Sequence, residues 1–279
     1  MKRLASGMIL AVCLSLCSCV ESLTTMTVHK DGRGDIEQTV YVSGQLQAMM
    51  QQMAAGLGGE GAEAPDLMAI DEEKLRRQAA EMGEGVRFVE ARQIEAKDGR
   101  SGVRALFSFE DVRKLHMQPD RAAMDSAGAV QMSEGEAAGE KKKPITFGFD
   151  PGRTARLTVR IPHEKGPADG EQADTPPAKP DRTPSEQEMA MISQAFDGFR
   201  ARMIVRVDGD IVRTDAAHRS GSEVTLFDLN LGKLLKEPDA IARLQALGQI
   251  RDMTTALTRL QSIPELKIEP KKRVEVLFR

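Results

Sequence analysis

The chain has no tryptophan and one tyrosine, Tyr41. Flat platforms for stacking bases or sugars are therefore scarce, which argues against a single-strand nucleic-acid binder. The formal net charge is −3 at neutral pH, so a generally basic nucleic-acid surface is excluded as well. Histidine is sparse. His29, His116, His163 and His218 are scattered, and no two stand at His-x-x-x-His spacing, so the sequence offers no histidine zinc site. Gly-x-Ser-x-Gly and Ser-x-x-Lys, the common serine acyl-transfer signatures, are missing. Acidic residues number 42 and are spread along the chain, so proximity in sequence marks no catalytic pair. Beyond residue 19 there is no cysteine. These absences lead to an expectation of no catalytic activity and no cofactor.

All three cysteines, Cys13, Cys17 and Cys19, lie in the first 19 residues. Lys2 and Arg3 precede an apolar run from Leu4 to Leu16. That run has secretory length and falls short of the roughly 20 apolar residues of a membrane-spanning helix. The "LCSC" that follows resembles the bacterial lipobox, with Leu16 at the anchor position, Ser18 before the cleavage point and Cys19 as the lipidated residue. Lipidation at Cys17 would put bulky Leu16 beside the cleavage point. A thiol is needed because a thioether carries the diacylglycerol. Several acyl chains, at about 0.8 kcal/mol per buried methylene, make a stable anchor where one would be marginal. Residues 1–18 are thus expected to be a signal peptide and 19–279 a single extracytoplasmic domain. Losing Lys2 and Arg3 takes the formal charge from −3 to −5. Val20, in place of Asp, favours the outer membrane if the organism is Gram-negative. With lipid on the Cys19 sulfur, the mature chain can form neither a disulfide nor a cysteine nucleophile.

Ten short stretches alternate apolar and polar residues, most of them paired across a turn signal. "LTTMTVH" and "DIEQTVYV" flank "KDGRG"; "VRFVEARQIE" and "GVRALFSFE" flank "AKDGRS". "ITFGF" and "ARLTVRI" flank "DPGR", "FRARMIVRV" and "DIVRTDA" flank "DGD", and "SEVTLFDL" and "RVEVLF" complete the set. The two KDGR copies suit tight hairpin turns with glycine at positive φ. Lys30 and Arg33 among the acids argue against a calcium loop. Four helices are expected. Asp71 caps "EEKLRRQAAEM", which stops at Gly83; "SGQLQAMMQQMAAGL" carries Met49, Met50 and Met53; Thr183 opens a helix through Met189, Ile192 and Phe196; the longest runs from about Asp239 to Gln261. The methionines are expected to fill core gaps; the weighed alternative is a thioether Cu(I) site that adds Met191. Residues 119–143 and 163–183 lack periodicity and are expected to be flexible insertions. The predicted fold class is α+β, with mostly antiparallel hairpin sheets packed against amphipathic helices.

In "FRARMIVRV", Arg200, Arg202 and Arg206 oppose Ala201, Met203, Val205 and Val207 in phase. In "ARLTVRI", Arg156 and Arg160 oppose Leu157, Val159 and Ile161. These arginines form either a solvated face paired with acids on neighbouring strands or an anion-binding face for lipid headgroups or an acidic polymer.

A cysteine, a short spacer and the hairpin "TMTVHKDGRGDIEQTVYVS" together resemble the start of LppM-type bacterial envelope lipoproteins, over residues 19 to 43. The resemblance implies an α+β globule sitting on the membrane through its anchor, with a binding or interaction role. The expected protein is therefore a membrane-anchored envelope lipoprotein, a non-catalytic interaction or structural module. The alternative is a carrier for a lipid or other apolar ligand. Its expected partners are the membrane, an envelope protein or anionic lipid, and not nucleic acid; no oligomeric state follows from the sequence.

Overall fold

The computed structural model describes residues 20–44, 68–118, 143–162, 198–234, 236–237 and 263–279. They hold β1 (Val20–Val28), β2 (Gly34–Val42), α1 (Glu72–Met82), β3 (Val86–Glu95), β4 (Ser101–Phe109), a 3-10 turn (Val112–Lys114) and β5 (His116–Met117). Then follow β6 (Ile145–Asp150), β7 (Ala155–Arg160), β8 (Arg200–Val207), β9 (Ile211–Thr214), β10 (Arg219–Ser220) and β11 (Glu223–Asn230). The last elements are α2 (Leu231–Leu234), β12 (Leu266–Ile268) and β13 (Arg273–Phe278). Each of the ten alternating stretches forms a strand; β5, β10 and β12 are additional.

The strands make two sheets. The first runs β10-β11-β8-β1-β2-β4-β3, with β12 also on β11; the second runs β5-β6-β7-β13-β9. Pairing is antiparallel except between β1 and β8, which run parallel over Glu21↔Arg200 to Val28↔Val207. Alternation sets the inner faces. Met26, Ile36, Phe107 and Val205 of the first sheet and Phe147, Leu157, Val276 and Phe278 of the second belong to one buried cluster. Phe107, Phe278, Met26, Ile36 and Leu157 are each less than 2 % exposed. Burying a side chain of this size contributes about 1.5–3 kcal/mol, so this shared layer holds the fold.

The expected α+β packing is therefore corrected. The described residues are mostly β, and the two sheets cover each other where amphipathic helices were expected to cover them. Among the described residues, α-helix is confined to α1, α2 and the single residue Gly44. One polar face per hairpin was read correctly as the outside, but alternation says nothing of whether a helix or a second sheet meets the inside. α1 starts as expected: the Asp71 side chain accepts from the Lys74 backbone N–H at 2.9 Å, and Ala79 and Met82 are buried in the shared core. The expected helix beyond Gly44, that opened by Thr183 and that over 239–261 lie outside the described residues, and with them Met49, Met50, Met53, Met189 and Met191. So do residues 163–183 and, apart from Lys143, residues 119–143.

A second correction concerns "DGD". It does not close a hairpin, because β8 lies in the first sheet and β9 in the second. Asp208 donates its N–H to Val28 O at 2.9 Å, and Asp210 donates to Arg279 O at 2.9 Å. The chain thus steps from the end of β1 in one sheet to the end of β13 in the other, a corner that a local turn signal cannot distinguish from a hairpin.

Candidate functional site

Cys19 lies outside the described residues. Arg200, Arg202 and Arg206 lie on the outer face of the first sheet, and each is met by a carboxylate. Arg200 forks onto Asp228, Nε to Oδ1 at 2.9 Å and Nη2 to Oδ2 at 2.8 Å. Its Nη1 also reaches Glu21 Oε1 at 3.4 Å. Arg202, opposite Asp228 across the β8–β11 pair, stands 3.5 Å from Oδ2. Arg206 donates to Glu223 Oε1, its direct cross-strand partner, at 3.0 and 2.6 Å. Arg100 extends the lattice, donating to Glu21 Oε2 at 2.9 Å and lying over the Tyr41 ring at 5.3 Å. Arg104 pairs with Glu37. Arg156 and Arg160 are exposed on β7 of the second sheet, so the structure does not bring them together with the β8 arginines.

The inner part of this lattice is shielded from water. Asp228 and Glu21 keep 11 % and 13 % of side-chain exposure and Arg100 14 %. Burial works against ionisation of Asp228, but the hydrogen bonds from Arg200, aided by the charges of Arg200, Arg202 and Lys267, outweigh it and hold its carboxyl below the ordinary value. Arg200 is shifted upward by its bonds to Asp228. The face is thus a mesh of alternating charges with its cations already engaged. The carboxylate partners Glu21, Asp228 and Glu223 were not legible as partners, since which strands neighbour β8 is a matter of topology.

The opposite end of the sheet carries a polar hollow of about 600 Å³, lined by His29, Lys30, Asp31, Arg33, Asp35, Arg87, Ser108, Glu110 and Asp208 among others. His29 Nδ1 is 2.9 Å from Asp208 Oδ2, and Nε2 is 3.6 Å from Asp35 Oδ2. A carboxylate only accepts, so the bond to Asp208 places a proton on Nδ1. The ring's short bond goes to an acid and not to the hydroxyl of Ser108. The first KDGR copy forms the rim: Asp31 accepts from its neighbour-but-one Arg33, backbone N–H at 3.0 Å and Nε at 2.7 Å. His29 and Asp208 are 179 positions apart, and the parallel β1–β8 pair brings their strand ends together, which no local motif reveals.

Sequence reading also passed over Glu269, which is fully buried. Its carboxylate accepts from the N–H of Ala217 at 2.7 Å and of Lys271 at 3.2 Å, tying two loops to the strands they leave. Accepting from the backbone N–H groups of two flanking loops is a structural task. Among the described residues, no group of three or more His, Cys, Asp or Glu side chains could hold a metal ion, and no helix is long and apolar enough to cross a membrane.

These features define a mostly β, two-sheet domain with one charge-meshed face and a polar hollow at one end. No protein-family model matches the chain, and no curated protein does. Among solved structures, the NMR structure of the folded domain of LppM from Mycobacterium tuberculosis is similar at 12 % identity and a TM-score of 0.34, covering 78 % of this chain and 87 % of that one.

Proposed function

We propose that this protein is a lipoprotein of the bacterial envelope, anchored through Cys19, whose folded part is a non-catalytic interaction or structural module. The observation that supports the module reading is the core. The inner faces of both sheets meet in one cluster with large side chains from each: Phe107, Phe109, Met26 and Met203 from one, Phe147, Phe149 and Phe278 from the other. Phe149 and Phe278 approach to 6.4 Å between ring centres. A carrier needs an apolar cavity of some hundreds of Å³; among the described residues, the space between these two sheets is taken by side chains. The described hollow is lined mostly by charged and polar residues and suits an exposed polar partner better than an acyl chain.

The test is to purify the domain as Cys19→Ser, extract it with organic solvent and weigh what is released. The module reading expects no stoichiometric lipid or other apolar molecule. A bound apolar ligand at one per chain makes the protein a carrier instead.

A further inference from the structure

We propose that the Val20 end of the first sheet is the surface that meets the lipid headgroups, and that the His29 hollow is held at the far end, facing away from the bilayer. The inference rests on the reading that Cys19 carries the lipid. The expected spacer after that cysteine does not exist as a spacer: β1 begins at Val20, which pairs with Val42 and is 4 % exposed. The Cα of residue 19 therefore lies about 3.8 Å from the first residue of an interior strand. β1 is gripped from both sides at this point, by Tyr41 and Arg200 opposite Glu21 in register and by the Arg100 and Arg200 side chains on the Glu21 carboxylate. Such a strand cannot peel away to supply slack, so an anchor on its preceding residue brings that end of the sheet to the membrane.

Register tells which residues share that end. Val42 pairs with Ser101, which places the turn between β3 and β4 there; Asn230 pairs with Arg200, which places α2 just beyond. Lys97 on that turn and Lys233 on α2 are exposed and join no ion pair among the described residues, whereas the arginines at the same end are engaged with Glu21, Asp98 and Asp228. Free lysines beside an anchor suit anionic headgroups. Glu95 is exposed nearby, so the anchor, not net charge, sets the orientation. β1 spans nine residues, which puts its two ends about 26 Å apart. The turn bearing Lys30 and the His29 hollow thus stand well outside the headgroup layer.

The experiment uses the full chain, matured and reconstituted in vesicles. Cys13 and Cys17 precede the anchor and Cys19 is in thioether linkage, so Lys97→Cys and Lys30→Cys each introduce the single free thiol. Each is labelled with an environment-sensitive fluorophore and mixed with lipid bearing a headgroup quencher. The label at position 97 should lose most of its emission and that at 30 should keep it. Equal quenching, or stronger quenching at 30, overturns the orientation. The mass of the N-terminal peptide is measured on the same samples: a lipidated peptide with the wrong quenching pattern defeats this inference alone, and an unlipidated one defeats it together with the anchor reading.

Discussion

Asp228 receives the fork of Arg200 while keeping 11 % of its side-chain exposure, so it is the residue whose charge matters most on the meshed face. Its folded carboxyl is held below the ordinary value of 3.8. A carboxyl with a depressed folded pKa stabilises the protein above its unfolded pKa and loses that contribution as pH falls through the folded one. Asp228→Asn should therefore cost about 1–2 kcal/mol at neutral pH. The difference from wild type should shrink as pH drops below 3.8. Urea midpoints at neutral pH and near pH 3 measure both, and a pH-independent difference would mean that shape and not charge is lost. Glu269→Ala removes the acceptor shared by the Ala217 and Lys271 N–H groups and should cost about 1 kcal/mol for each bond lost. Glu269→Gln retains an acceptor oxygen and should recover part of the loss in the same titration.

Among elements, the two KDGR hairpins offer an internal comparison. Both turns close in the same way. Gly32 and Gly99 have φ of 86° and 82°, the aspartate accepts from the arginine two residues on, and the flanking N–H groups of His29 and Ala96 bond Arg33 O and Arg100 O. They part at the fifth position. A Cβ on Gly34 would stand 1.9 Å from Thr27 O and 2.7 Å from the Phe109 ring, whereas Ser101 at the matching place is exposed. Gly34→Ser should consequently destabilise the protein by more than about 2 kcal/mol, through forced backbone displacement at a well-packed site. Ser101→Gly should cost at most about 1 kcal/mol. Thermal melts by far-ultraviolet circular dichroism would read both, and equal shifts would remove the packing explanation. These turns, the alternation of all ten stretches and the Asp71 cap were legible because each is local. β5, β10 and β12 were not, since strands of two or three residues are too short to show a period.

For the molecule as a whole, the connections that matter join distant parts of the chain. β8 sits between β1 and β11, and β13 between β7 and β9; neither place can be read from hydrophobic pattern, which fixes a strand's faces and leaves its neighbours open. The same gap explains why sheet-on-sheet packing was mistaken for helix-on-sheet, and why the acids that engage Arg200 and Arg206 came only with the structure. Removal of residues 273–279 should accordingly abolish cooperative unfolding, because it takes Val274, Val276 and Phe278, all at 0 % exposure, from an interior strand of the second sheet. Calorimetry checks it; a sharp transition near the wild-type temperature would show that β13 is dispensable to the core. The anchor is the claim on which location and orientation both depend. Its most direct test is the mass of the N-terminal peptide of the mature protein. The account predicts a chain that begins at Cys19 with diacylglycerol on its sulfur; an N-terminus upstream of Cys19, or Cys19 with a free thiol, contradicts it.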